Sequence, residues 1–220
     1  MIPRGIPLDS KAGEEKTDRV ETVAAVLLAL ATVATAWSGY QASRWNGEQA
    51  KAFSRATATR IESTRASDLA DAQTQVDVAT FIQWVDAYAQ EETDLVDFYY
   101  ERFRPEFTPA MDAWIATRPL QNSDAPLTPF AMPEYQLAAR EEAQQLEAEA
   151  DALSAQARAN VQRATNYVLA VVLFATVLFF AGMAARFRTR RVRVALLAFG
   201  VVVLVGTVVW LATFPVSISV

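Results

Sequence analysis

Seven carboxylates crowd one short stretch of this chain: Asp86, Glu91, Glu92, Asp94, Asp97, Glu101 and Glu106. On a helix Asp94, Asp97 and Glu101 share a face, which is how a divalent cation would be gripped. The rest of the chain argues otherwise. A di-iron helical bundle uses Glu-x-x-His, and there is no histidine. Calcium is gathered on a turning loop that normally contains glycine, and no glycine lies between Gly47 and Gly182. The cluster reads as a solvated acidic face. No cysteine is present either, which removes disulfides, thiolate nucleophiles and Cys/His zinc sites. No glycine-rich phosphate loop, activated serine or positioned acid–base pair stands out. The expectation is a protein that is not an enzyme and needs no metal or cofactor.

The elements that carry these residues are set by hydropathy. Of the 220 residues, 52% are hydrophobic, above the usual range for a soluble domain. Residues 22–40, 167–185 and 194–214 contain no Asp, Glu, Lys or Arg. At ~1.5 Å per residue each covers a hydrocarbon core of roughly 30 Å. For the first segment two readings compete. Lys16 and Arg19 before an apolar run, with Ala34-Thr35-Ala36 after it, resemble a cleaved signal peptide. Against that, Glu14, Glu15, Asp18 and Glu21 make the start acidic, the run is long, and Asp18 with Glu21 reads as a capping box. A retained span is the preferred reading.

Charge sets the topology. Five arginines and no acid lie in residues 186–193: Arg186, Arg188, Arg190, Arg191 and Arg193. The positive-inside rule keeps that loop cytoplasmic. The N-terminal residues then lie inside, and residues 41–166 and 215–220 outside. Trp37, Tyr40, Tyr167 and Trp210 fall at the outer ends of their segments, as an aromatic belt would. The middle region has 20 acidic and 11 basic residues, so nucleic acid is not expected as a partner.

Between residues 41 and 166 the missing glycines predict a few long helices. Six of the nine prolines lie between Pro105 and Pro133, leaving a proline-free arm on either side. Thr108-Pro109 reads as a helix start, and Pro133-Glu134 as the start of the returning arm. That arm has a heptad: Ala143, Ala150, Ala157 and Ala164 at one position, Leu146, Leu153, Asn160 and Tyr167 at the other. On the outgoing arm the matching stripe is Ala58, Ile61, Arg65, Leu69, Ala72, Val76 and Ala79. Residues 81–135 hold 11 of the 23 aromatics, enough for a small core where the arms turn. Trp84, Tyr88, Phe98, Tyr99, Tyr100 and Trp114 are the candidates for a partner surface, since Tyr and Trp favour such surfaces. Residues 93–101 carry more rings than one helix face can bury. In the spans, Ala25, Ala29, Thr32 and Ala36 form a small-residue stripe, with Gly200 and Gly206 as further close-approach points, for packing within the chain or between copies.

The stretch AWSGYQASRWNGEQA, residues 36–50, resembles a family of uncharacterised bacterial membrane proteins with one N-terminal span, a long helical region and two C-terminal spans. The resemblance implies a bacterial plasma membrane and no activity.

The fold expected is all-α: a three-span membrane protein with a long antiparallel, coiled-coil-like helical hairpin stalk and a small aromatic-rich helical cap outside the membrane. Its segments are a cytoplasmic tail (1–19), spans at 20–40, 167–185 and 194–214, and an extracytoplasmic hairpin at 41–166 with its cap at about 81–135. A cytoplasmic arginine loop (186–193) and an outer tail (215–220) complete it. Membrane lipid is one partner. The other is a second copy of the chain or another membrane or extracytoplasmic protein, so the role is assembly or protein–protein interaction. A sensor with a ligand-binding cap is an alternative, because Arg65 and Asn160 fit the seam poorly. An oligomeric channel or transport-complex subunit is the third reading.

Overall fold

In the computed structural model residues 9–119 and 121–217 are described, with side chains from Val20 onward. Among them are five α-helices, one 3-10 turn and no strand. They are α1 (Asp9–Ala89), α2 (Thr93–Tyr100), α3 (Thr108–Ala116), the turn Pro129–Ala131, α4 (Ala138–Arg186) and α5 (Arg190–Leu211). The chain divides into two units, residues 1–52 with 155–220, and residues 53–154.

The first unit is built from the start of α1, the end of α4, and α5. Its core is Ala24, Leu27, Ala31, Val177, Ala181, Ala184 and Leu197. Alanine dominates because helices without a driving force from water associate by close packing of small residues. Gly200 marks the tightest point: a Cβ there would lie 3.1 Å from Leu27 Cδ2. Most of the apolar surface faces outward instead. Only 17%, 28% and 17% of the most apolar stretches of α1, α4 and α5 are buried within the protein. Val33 and Val202 are each 69% exposed. Three helices are thus long and apolar enough to cross a membrane, and apolar on the faces the protein leaves open, as lipid requires. Their threonines are consistent with this. The hydroxyls of Thr32, Thr35, Thr176 and Thr207 donate to carbonyls four residues earlier, so none needs water.

Helix α1 runs without a break through Trp37 and Trp45, since two glycines cost only about 1 kcal/mol each relative to alanine. At this end of the unit Ala42, Trp45, Ala164 and Tyr167 cluster with Leu211 and Phe214. The buried Gln41 amide donates to Ser217 O (3.3 Å) and accepts from Ser217 N (3.1 Å). Tyr167 OH donates to Pro215 O at 3.2 Å.

Several expectations are corrected here. Helix α1 begins at Asp9, so Asp18 lies inside the helix and not at its start. Within the chain Ala25, Ala29, Thr32 and Ala36 are exposed, while Ala24, Leu27, Ala31 and Ser38 face inward; the internal packed face therefore lies beside the expected stripe, and packing of that stripe between copies is untouched by this. Gly206 approaches nothing within 4 Å. Tyr167 is 2% exposed, so its ring fills the interior and is not a lipid-facing belt residue. Trp37 and Tyr40 are about half exposed, at 47% and 53%. Trp210 is half-buried, edge-on to Phe214.

In the second unit α1 and α4 pair through small residues. The inward face of α1 in this unit carries Ala56, Ser63, Ala66 and Ala70. Ser63 Oγ donates to Ala143 O at 2.9 Å. Arg60 reaches Glu147 (3.2 Å) and Asp151 (2.7 Å), and Arg140 reaches Asp71 (3.0 Å). Partner numbers fall on α4 as they rise on α1. Ala143 and Ala150 are buried, as is Ala157 in the first unit, and Leu146 and Leu153 are half-buried. The expected outgoing stripe is corrected: Ala58, Ile61, Arg65, Leu69, Ala72, Val76 and Ala79 are all exposed. A heptad of alanines needs small residues opposite it, and these lie on the reverse face of α1. The returning helix starts at Ala138 rather than at Pro133, and α5 ends at Leu211, three residues before Phe214.

Candidate functional site

The site grows out of how α1 ends. With no glycine available, its C-terminal stop uses Glu91 in the left-handed region (φ 57°). Glu92 N donates to Ala87 O, and Glu91 N to Tyr88 O, which is the Schellman pattern of hydrogen bonds. Helix α3 ends the same way on Arg118 (φ 53°). Its N–H reaches Ile115 O, and Pro119, which has no N–H, cannot supply the second bond. Each non-glycine residue held this way costs on the order of 1 kcal/mol.

Between these two stops lies a ring-built core: Phe81, Trp84, Phe103, Phe107, Met111 and Trp114, flanked by Phe130 and Tyr135. Phe81 meets Trp114 edge-on at 5.4 Å and Phe130 at 5.7 Å. Phe107, fully buried, stacks on Phe130 at 5.2 Å. Such pairs add about 0.5–1.5 kcal/mol beyond burial of their area. Trp114 is locked by its Nε1–H, which donates to Pro126 O at 2.7 Å.

A buried polar network lies beside the rings. Asp77 has a side chain 1% exposed. Its Oδ2 accepts from Arg104 Nη1 (2.9 Å) and Tyr135 OH (3.0 Å), while Oδ1 has no partner. Arg104 also pairs with Glu106, whose Oε1 accepts Ala138 N at 3.3 Å. Burial raises the Asp77 pKa above its ordinary 3.8, outweighing the lowering by Tyr135 and Arg104. Burial likewise raises Tyr135. Tyr100 donates to Asp112, and that bond raises the tyrosine's pKa.

On the outer side of the rings is a groove of about 260 Å³, lined by Trp84, Val85 and Tyr88 from α1, Trp114 and Ile115 from α3, then Arg118, Pro119 and Gln121. Trp84 and Tyr88 stack at 5.3 Å with an interplanar angle of 20°, giving the groove a flat wall. Tyr88 is 50% exposed and Ile115 39%. The volume suits one ring or one bulky side chain rather than a drug-sized ligand. Arg118 is the one cation in its wall.

Three of the six residues singled out from sequence, Trp84, Tyr88 and Trp114, thus come together. The other three sit on α2. Phe98 is 44% exposed beneath the Arg102 guanidinium, 3.5 Å from its ring centre. Tyr99 and Tyr100 are half-buried against the core. Sequence reasoning did not point to Val85, Ile115, Arg118 or Asp77. A Thr-Arg-Pro ending to a short apolar helix, 117–119, was the available signal for the groove's rim. Compared with known proteins, the chain matches no protein family, no curated protein and no solved structure.

Proposed function

We propose that the chain is a non-enzymatic integral membrane protein of the bacterial plasma membrane that holds a helical domain outside the bilayer for assembly. Helices α1, α4 and α5 supply the three spans, with the N-terminus inside and residues 215–220 outside. Residues 41–166 form an antiparallel hairpin capped by the aromatic core. The cap takes an apolar side chain of a second copy, or of another membrane or extracytoplasmic protein. One observation carries this reading: Trp84, Tyr88 and Trp114 jointly line an open groove, although Phe81, Phe103, Phe107 and Met111 already fill the core beneath. Aromatic anchors in a concave apolar patch are where binding energy concentrates. The resemblance at residues 36–50 supports the bacterial membrane, and the arginines of 186–193 support the orientation.

The test is photo-cross-linking in native membranes with a photoreactive residue in place of Tyr88, against one in place of Leu127. Leu127 is more exposed, at 93%, yet lies outside the groove. The reading expects a discrete adduct from position 88 alone. Equal capture at both positions, or none at either, contradicts it. A small ligand is the second reading, favoured by the ring-sized volume and by Arg118 at the rim. It predicts saturable quenching of tryptophan fluorescence by a small aromatic carboxylate, weakened by Arg118→Gln.

A further inference from the structure

Positive charge in the described residues is densest at the turn from α4 to α5, where Arg186, Arg188, Arg190, Arg191 and Arg193 lie within eight residues. Arg193 is engaged: its Nη2 lies 3.5 Å from Glu21 Oε1. Arg190 and Arg191 have no ion pair among the described residues, and both are exposed. They share a shallow, open depression on one face of α5 with Val194, Ala195 and Ala198. The spacing makes this one helical strip. Arg190, Val194 and Ala198 follow one another at intervals of four, as do Arg191 and Ala195. The strip continues for eight residues beyond Arg190, or ~12 Å of helix, in the direction of the apolar span. Ala195 and Ala198 end at Cβ, so a recess runs down from the two charges.

We propose that this depression binds one anionic phospholipid. Arg190 and Arg191 hold the headgroup phosphate, and the first part of an acyl chain lies along Val194, Ala195 and Ala198. Guanidinium groups match phosphate oxygens in planar, forked hydrogen bonds. The recess separates a lipid from a free phosphate ion. A small hydrated anion would meet the two guanidinium groups alone and would leave the apolar strip beside them uncovered, whereas a chain covers it. Position agrees as well, because basic clusters flanking a span meet lipid headgroups. The site is independent of the aromatic groove and of which side the N-terminus takes. It goes beyond the proposed function, and rests only on α5 lying in lipid.

The experiment uses the full chain in neutral detergent, with phosphatidylglycerol or phosphatidylcholine added in mixed micelles and the retained lipid counted by native mass spectrometry. The expected preference for phosphatidylglycerol is about tenfold to thirtyfold, from two charges near a headgroup. Arg190→Gln with Arg191→Gln removes that preference, while Arg186→Gln with Arg188→Gln keeps most of it. Ala195→Leu with Ala198→Leu fills the recess and lowers retention severalfold with every charge in place. Millimolar glycerol phosphate does not displace the lipid. Three results overturn the proposal: equal retention of both lipids, equal loss in the two arginine pairs, or displacement by glycerol phosphate, which would mark a free-phosphate site. Far-UV circular dichroism checks the variants. If one loses helicity, the parent's preference and the glycerol phosphate arm still decide.

Discussion

In the first unit small residues meet at the centre, at Ala24, Ala31, Ala181 and Ala184, and the outward positions are Val23, Val33, Val202 and Val209. In the second, alanines again meet between α1 and α4, but the outward positions carry Arg60, Asp71, Arg140 and Glu147 among the exposed Ile61, Leu69 and Val76, and the central rings are enclosed. The seam chemistry is shared, and charge is what separates the outer faces. An alanine seam therefore says how closely two helices approach and nothing about their surroundings. The outward faces say that, and they divide the chain into one part suited to lipid and one suited to water.

Breaking each unit at its own weak point tests the division. Phe107 is fully buried at the centre of the ring cluster, so Phe107→Ala should cost the second unit about 3–5 kcal/mol. Thermal unfolding followed by near-UV circular dichroism reads this, and Phe53→Ala, at a 60% exposed position, should stay within about 0.5 kcal/mol. The next largest effect is an outward carboxylate. Val202→Asp, at an exposed position of a helix apolar enough to cross a membrane, should disfavour insertion by roughly 2.5–3.5 kcal/mol. Ile61→Asp, at a comparably open apolar position (50% exposed) in the second unit, should insert normally. The membrane-bound fraction after alkaline extraction compares them. Equal loss in both would erase the distinction between the two surfaces.

These two positions also show what the sequence made legible. Absence of charge over nineteen or more residues picked out the three helices that are long and apolar enough to cross a membrane. The returning arm was readable too, since Ala143, Ala150 and Ala157 repeat every seven residues and are buried. The outgoing arm was not. Ile61, Leu69 and Val76 are larger than Ala56, Ala66 and Ala70 and drew the stripe to the wrong face. Hydrophobicity ranks residues by size, whereas a close helix pair selects them by smallness. At the groove, Trp84, Tyr88 and Trp114 were found by residue type. Arg118 was not, because its place depends on a left-handed turn that glycine usually marks. Asp77 looked like one more surface carboxylate, and only the fold places it under Tyr135 and Arg104.

Asp77 gives a smaller effect with a definite sign. Its pKa is higher in the folded chain than the ordinary 3.8, so the folded state holds the proton more tightly. The stability it contributes is fully present below the unfolded value and is lost as pH rises through the folded one. As pH rises above about 4, unfolding should show the second unit losing stability from this group. Asp77→Asn should flatten that slope, and an unchanged slope would mean that another group sets it. The smallest effect concerns the stop of α1. Glu91→Gly relieves a left-handed non-glycine residue and should raise stability by about 0.5–1 kcal/mol, visible as a modest rise in Tm of the second unit alone.

The chain's lack of cysteine makes the central test clean. Single cysteines replace Leu127, Arg188 and Val202 in turn, and intact cells are treated with a membrane-impermeant maleimide. The account predicts labelling at 127 from outside, at 188 only after permeabilisation, and at 202 in neither case. Ready labelling at 202, or labelling at 188 but not 127 in intact cells, would contradict it.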